Sequence, residues 1–534
     1  MPKRPRSKKL ASAAKRRALA SETSKKPEQD RAAVETHVSS LGAIIDEGLD
    51  AFEGYYRRQK LVSNYAEWKK LRNILRQPMP VAFRLCVGRG DAGEVARVEL
   101  QTMLEDIEGA GGFTTARGRF VPPPTSFPFA NSYAIGCDQK ILRQEQNEAP
   151  GSPLAKFFKW ITKRTSEGIV SRQEVVSAVP VAVLDIEPQH SVLDMCASPG
   201  SKTLQALERI GISGATRRSD GTASDGKSQG IVVANEISSS RGHVLAHRCS
   251  ALRAACAHFA VTQHKAQAFP GPVDFFDRII CDVPCSGDAA IRKFPEKWRD
   301  WSPNPGRMLH ALQLQIAMRA AVLLRVGGLL SYSTCSFNPL ENEAVVSALL
   351  AATGGALELV IPPSLAGLEL RPGLPTWEVV DDCLGALRSH GDAMTRIPKR
   401  ERRRYRRTMW PRGEACVPLE RCMRLLPHLR NTGGFFVALL RKVAPWPPTA
   451  VARPISSPKL APGFLDCPAE LLRDVRGLLG HLIAETDPGA APRHRLLMRG
   501  QRRIFLCAAP LAELLARTIG AQRRLATVTA GICV

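Results

Sequence analysis

The alternation between residues 191 and 333 limits most strictly what this chain can fold into. Short apolar runs fall at Ser191–Met195, Ile231–Asn235, Phe259–Thr262, Arg278–Asp282 and Leu329–Ser333. Between them lie stretches with helical spacing, for example Leu204–Arg209, Ser240–His258 and Arg307–Leu324. Strands and helices in repetition predict an α/β fold with a mostly parallel sheet and right-handed crossovers. A later apolar run, Asn431–Leu440, reads as a buried strand that completes the sheet. In open sheets of this kind ligands sit outside the carboxyl ends of the strands, so the residues that follow each strand are where chemistry is to be sought.

The first strand runs into DMCASPGSKT, residues 194–203. Ala197, Ser198 and Gly200 are small enough for backbone to approach a ligand, and the helix that follows starts with its positive end toward the crevice. The second strand ends at Glu236. An acid there can accept hydrogen bonds from both hydroxyls of a ribose, as in nucleoside cofactor sites; the bland reading is an exposed helix-capping acid. The Gly/Ser-rich stretch from Gly211 to Gly230 reads as a flexible insertion and accounts for the long spacing between loop and acid.

Two further strands deliver cysteines. Cys285 lies in CDVPCSGD and Cys335 in SYSTCSFNP. A buried cysteine is more often inert packing. Two at sheet ends, beside Asp282 and Lys202, point instead to covalent chemistry on a pyrimidine. Carbon 5 of cytosine is too weak a nucleophile to take a methyl group unaided, and a thiolate adding to carbon 6 makes it carbanion-like. An acid against the ring nitrogen and amino group would stabilise the displaced charge, and Asp282 is the candidate.

Composition sets the partner. Lys and Arg number 75 against 50 Asp and Glu, a net charge of +25, which calls for a polyanion, and nucleic acid before a membrane surface. No run nears 18 uninterrupted apolar residues. The 14 cysteines lack paired spacing, so free thiols in a reducing compartment are expected and no metal site is. Residues 1–36 read as a disordered basic tail. Within it Met1–Lys26 holds ten Lys or Arg against Glu22, with clusters at Lys3–Lys9 and Lys15–Arg17. These resemble nuclear import signals, with a nucleolar destination included and a mitochondrial presequence as the alternative. Residues 37–150 read as a small α+β module. Its Ala43–Leu75 stretch interleaves Phe52, Tyr55, Tyr56 and Trp68 with Arg57, Arg58, Lys69 and Lys70. That is either an RNA-binding face or an amphipathic helix with core aromatics. Residues 151–445 read as the α/β unit that carries the loop, Glu236, Asp282 and both cysteines. Residues 446–534 read as an extension of unassigned role, with helices near Pro468–Thr486 and Leu511–Gly520.

The segments DMCASPGSKT, CDVPCSGD and YSTCS, with SRQEVVSAVP ahead and LERCMRLLPHLRNTGGFFVALL behind, resemble the RNA (cytosine-5) methyltransferases of the nucleolar-protein/Sun family. The resemblance runs from about Phe52 to Trp446 and is strongest to the eukaryotic branch that modifies transfer RNA. It implies a Rossmann-like class I methyltransferase and S-adenosylmethionine as cofactor. It also implies RNA, transfer RNA first, as partner, and a monomer. Cys335 becomes the nucleophile and Cys285 the thiol that assists breakdown of the adduct. Cys196, Ala197, Ser198, Pro199, Gly200, Ser201 and Lys202 become the cofactor loop, Glu236 the ribose acid, and Asp282 the residue between cofactor and base. One departure stands out: where the family has an acid near the adenine, this chain has Lys265, in Thr262-Gln-His-Lys. Another is the dense basic run Pro398–Arg407, read either as a solvated loop or as a phosphate contact. Ribosomal RNA as substrate, a DNA cytosine methyltransferase and a non-catalytic RNA-binding assembly factor are the alternatives.

Overall fold

In the computed structural model, successive residues of each central strand enter opposite hydrophobic cores. That is why the strand sequences are apolar throughout rather than alternating. The structure describes residues 48–86, 90–210, 230–250, 258–412, 417–446, 464–466, 494–499, 503–517, 527–530 and 532–533. The readings of residues 1–36, of the Gly/Ser-rich insertion and of a helix at Pro468–Thr486 lie outside them.

The central strands are β1 (Ser191–Asp194), β2 (Ile231–Asn235), β3 (Phe259–Thr262), β4 (Phe276–Asp282), β5 (Leu324–Thr334), β6 (Met423–Leu425) and β7 (Phe435–Lys442), in the spatial order β6-β7-β5-β4-β1-β2-β3. β1 to β5 are parallel, β7 runs antiparallel to β5, and β6 antiparallel to β7. This is the expected mostly parallel, Rossmann-like sheet. Its strand order reverses between β1 and β4, which opens a crevice at their carboxyl ends. Helices cover both faces. On one, α1 (Ser201–Arg209) and α2 (Ser239–Ser250) bury Leu204, Leu207 and Leu245 against Val192, Val232 and Ile280. On the other, α3 (Asn304–Leu323) and α4 (Glu343–Thr353) bury Ile316, Ala320, Val345 and Leu349 against Leu193, Ile279 and Leu330.

The N-terminal aromatics belong to a core. Phe52, Tyr55, Tyr56 and Trp68, on helices at residues 48–58 and Tyr65–Leu75, are buried with Trp298 and Phe337 of the catalytic unit. Of the two readings of that stretch, the one with core aromatics therefore holds for these four residues. Tyr65 alone stays largely exposed, with the Lys69 ammonium 4.8 Å from its ring centroid. A separate four-stranded sheet follows, in the order Thr125–Phe127, Ser132–Ile135, Val81–Leu85, Val170–Ser171. Because the helix Pro153–Ser166 packs Phe157 and Ile161 into its core, this small unit continues past residue 150 to Ser171.

The C-terminal stretch holds more strand than its sequence suggests. Phe464–Asp466, His494–Arg499, Arg503–Ala508 and Ile532–Cys533 form their own sheet, followed in part by a helix at Ala509–Arg517. Thr527–Ala530 pairs antiparallel with β3 and covers that edge of the large sheet.

One buried ion pair ties the small unit to the large one. Arg84, 2% exposed, forks onto the carboxylate of Glu208 at the end of α1, with Nη2 3.0 Å from Oε1, and donates to Gln173 Oε1 at 3.1 Å. Removing one partner leaves the other charge buried and alone, which typically costs about 3–5 kcal/mol. Glu208→Ala should therefore lower the unfolding free energy by about that much in urea titration. Replacing both residues with apolar ones of similar volume should cost clearly less.

Candidate active site

β4 and β5 lie side by side with Asp282 opposite Ser333, so the residues just beyond them leave the sheet together. After β4 the chain turns through Gly287, whose φ of 74° is one that side chains resist. The turn carries Cys285 toward Cys335, and the two Sγ atoms lie 3.3 Å apart, both half-buried. The hydrogen bond to Cys335, with burial, pushes the Cys285 thiol well above its ordinary range. Cys285 thus keeps its proton at neutral pH, and either sulfur can be the donor in the contact between them.

Asp282 sits next to this pair. It accepts from Lys202 Nζ at 2.7 Å through Oδ2 and from Ser333 Oγ at 2.8 Å through Oδ1. Lys202 also donates to Ser177 Oγ at 2.9 Å and lies 5.1 Å from the centroid of the Phe435 ring.

A cavity of about 410 Å³ opens on both sulfurs, within the usual size range of cofactor sites. From the predicted set Cys196, Ser198, Glu236, Asp282, Cys285 and Cys335 line it. Ala197, Pro199, Gly200, Ser201 and Lys202 do not form its wall. Gly200 has a packing role instead: a Cβ there would lie 2.6 Å from Leu245 Cδ1 of α2, and its φ is 101°. The small residue lets α1 and α2 approach, a packing role beside the one read from the sequence. Glu236 accepts from Arg241 Nη2 at 2.7 Å and from the Ser238 backbone N–H at 2.8 Å, both at Oε1. Lys265 lines the same cavity, together with His264.

Sequence reasoning missed the supports of this site. Asn235 donates from Nδ2 to the carbonyls of Met195 and His264, each at 3.0 Å, and accepts from Thr262 Oγ1 and His264 N. Its amide joins the ends of β1, β2 and β3. Glu341 and Asp288 hold the cysteine segments from below. Glu341 accepts from Ser286 N at 2.8 Å, Ser286 Oγ at 2.5 Å and Ser336 Oγ at 2.6 Å. Asp288 accepts from Ser336 Oγ at 3.0 Å, Phe337 N at 2.9 Å and the Tyr56 hydroxyl. The signal was present as acids inside otherwise small or apolar segments, CSGD and NPLEN. Among the described residues no His, Cys, Asp and Glu cluster could hold a metal ion.

Comparison with known proteins places these features. The family described as 16S rRNA methyltransferase RsmB/F matches residues 222–372. The multisite-specific tRNA:(cytosine-C(5))-methyltransferase trm4b of Schizosaccharomyces pombe is 36% identical over 422 residues, covering 74% of this chain and 59% of that protein. The tRNA (cytosine(34)-C(5))-methyltransferase of Drosophila melanogaster is 34% identical over 412 residues, covering 73% and 52%. The chain thus spans between half and three-fifths of the length of these curated relatives. A methyltransferase homologue from Pyrococcus horikoshii, of known structure, overlays with a TM-score of 0.47 at 19% identity, covering 75% of this chain and 99% of its own.

Asp194, at the end of β1, accepts from Thr203 Oγ1 at 2.8 Å and is buried. Burial pushes its carboxyl up to about 7, opposed by the Thr203 hydroxyl and the Lys202 ammonium. The native state therefore binds this proton more tightly than the unfolded chain, whose Asp titrates near 3.9. Stability should fall as pH rises from about 4 to about 7, and the loss should be complete above that. In thermal melts between pH 5 and 8, Asp194→Asn should flatten this slope and be at least as stable as the native protein at pH 8.

Proposed function

The chain belongs to the nucleolar-protein/Sun family of RNA cytosine-5 methyltransferases, and from that premise we propose that it methylates carbon 5 of cytosine in RNA. Transfer RNA is the substrate and S-adenosylmethionine the methyl donor. The observation that carries this reading is the 3.3 Å between Cys285 Sγ and Cys335 Sγ on the wall of a cavity that also contains Glu236. The names of the S. pombe and Drosophila relatives support transfer RNA. The family description favours ribosomal RNA as the second reading. The basic clusters Lys3–Lys9 and Lys15–Arg17 support action in the nucleus.

The cavity residues fit the cofactor: an acid at the end of β2, a small-residue loop at Cys196 and Ser198, and apolar walls from Ile237, Leu312 and Ile316. Glu236 would hold the ribose hydroxyls, with Cys196 and Ser198 beside it. Bound there, S-adenosylmethionine would supply an electrophilic methyl group, its sulfonium sulfur keeping the electron pair of the broken S–CH3 bond as a neutral thioether. Cys335 attacks as thiolate: its Sγ bonds to carbon 6, and the π pair of the C5–C6 bond moves to carbon 5, which takes the methyl group. Asp282, oriented by Lys202 and Ser333, accepts a hydrogen bond from the cytosine amino group and steadies the ring through the addition. Carbon 5 then loses its proton to solvent, the C5–C6 double bond re-forms, and the C6–S bond breaks. Cys285, still protonated, donates a hydrogen bond to the departing sulfur, which makes it a better leaving group. Carbon 6 is hidden in a stacked helix, so the target cytosine must lie in a loop or be turned out of its stem.

The test is methyl transfer to unmodified tRNA transcripts and to ribosomal RNA, read by bisulfite sequencing, with adducts followed on denaturing gels. Cys335→Ala should lower the rate on the order of 10³-fold or more and abolish the adduct. Cys285→Ala should stall turnover and accumulate a stable protein–RNA adduct. The reverse pattern would make Cys285 the nucleophile. RNA binding by the native protein without methylation or cofactor binding would establish the assembly-factor reading.

A further inference from the structure

The chain between β5 and β6 holds a second concavity, of about 1400 Å³, that shares no lining residue with the first. Its walls include Trp377, Leu387 and Trp410. Both indoles are fixed by backbone: Trp377 Nε1 donates to Met409 O at 2.6 Å, and Trp410 Nε1 to Leu387 O at 2.8 Å. The His390 ring stands edge-on to Trp410, with centroids 5.8 Å apart. Around the aromatics sit three exposed arginines, Arg388, Arg407 and Arg412.

Pairing separates these arginines from their neighbours. Arg396 binds Asp381 and Asp392, Arg400 binds Glu401, and Arg404 reaches Asp382 and Glu401. Glu378, the acid on the cavity wall, is taken by Arg58 at 2.9 Å. Among the described residues no carboxylate forms an ion pair with Arg388, Arg407 or Arg412. Within the basic run Pro398–Arg407, Arg400 and Arg404 are thus paired inside the protein while Arg407 faces outward, joined by Arg388 and Arg412 from either side of it. The outward part is also anchored. Thr408 Oγ1 lies 2.7 Å from His310 Nε2 on α3, and His310 Nδ1 lies 2.6 Å from the carbonyl of Leu340, next to Glu341.

We propose that this concavity binds a single-stranded segment of the RNA substrate, with phosphates on Arg388, Arg407 and Arg412 and a base against Trp410 and His390. The proposal rests on the reading of the chain as an RNA enzyme and adds to it a second contact away from the reacting cytosine. Unpaired guanidiniums match phosphate in charge and in fork geometry. Fixed aromatic rings beside them are what unstacked bases settle on. An acidic peptide would use the arginines and leave the aromatic wall without a role.

The experiment measures fluorescence anisotropy of a labelled 12-nucleotide single-stranded RNA and of an unmodified tRNA transcript over a series of KCl concentrations. The proteins are the native chain, the triple variant Arg388→Glu/Arg407→Glu/Arg412→Glu, and Trp410→Leu. The triple variant should raise Kd for both RNAs at least about tenfold and flatten the slope of log K against log salt by about 2. Its cofactor affinity, read by calorimetry, and its circular dichroism should stay native. Trp410→Leu should weaken the oligonucleotide while keeping the native salt slope. A triple variant with native Kd and slope overturns the proposal, as does poly-glutamate competing as well as RNA does. Because binding is read without methyl transfer, a native protein that binds in this way but never methylates overturns only the function proposed above. Native methylation with unaltered binding by the triple variant overturns only this inference.

Discussion

Glu341 is fully buried, and its carboxylate takes hydrogen bonds from Ser286, beside Cys285, and from Ser336, beside Cys335. Gln313 of α3 adds another at 3.0 Å. Burial raises this carboxyl while the serine hydrogen bonds lower it, and burial wins. A polar group in such a place is tolerable only because every nearby donor is aimed at it. The geometry of the two sulfurs follows from this. Cys285 stands on a loop after β4 and Cys335 after β5, where the Ala289 N–H donates to the Cys335 carbonyl at 3.1 Å and Glu341 ties the two flanking serines together. The shared acid and that backbone bond together hold their spacing, and Asp288 repeats the device one layer further out by linking Ser336 to Tyr56 of the N-terminal helix. The N-terminal aromatics are therefore part of the support for the reacting groups.

Much of the sheet was legible in the sequence because its strands are buried on both faces, and two-sided burial writes itself as continuous Val, Ile and Leu. The bounds of β2 and β3 agree to the residue, while β5 begins earlier, at Leu324, because Gly327 and Gly328 mask its first half. The cysteines, Asp282 and Glu236 were legible too, since each follows a strand. The buried aromatics of the first helices were ambiguous: Phe52 and Tyr56 look alike in composition whether they face a core or a partner. Gly200 is ambiguous for a related reason, as a glycine reports only that something is close, and Leu245 is one such neighbour. The acids Asp288 and Glu341 stand out locally in CSGD and NPLEN, but their partners, like those of Asn235, lie on distant segments that local pattern does not reveal.

Lys265 is the clearest departure from the resembled family, and its position gives it a physical meaning. It stands on the cavity wall beside His264, just after Thr262, whose hydroxyl donates to Asn235. The Asn235 amide keeps that stretch of chain in place whatever residue follows it. The residue at this position therefore sets the charge of the cavity wall while the frame of the pocket stays intact.

The strand Thr527–Ala530 lies along β3, which would otherwise present open N–H and C=O groups on the outer margin of the large sheet. β3 also contributes Thr262 to the pocket frame. During synthesis this margin stays bare until a segment translated long afterwards arrives to cover it. Newly made chains should consequently pass through a sticky interval in which the catalytic layer is assembled but unsealed.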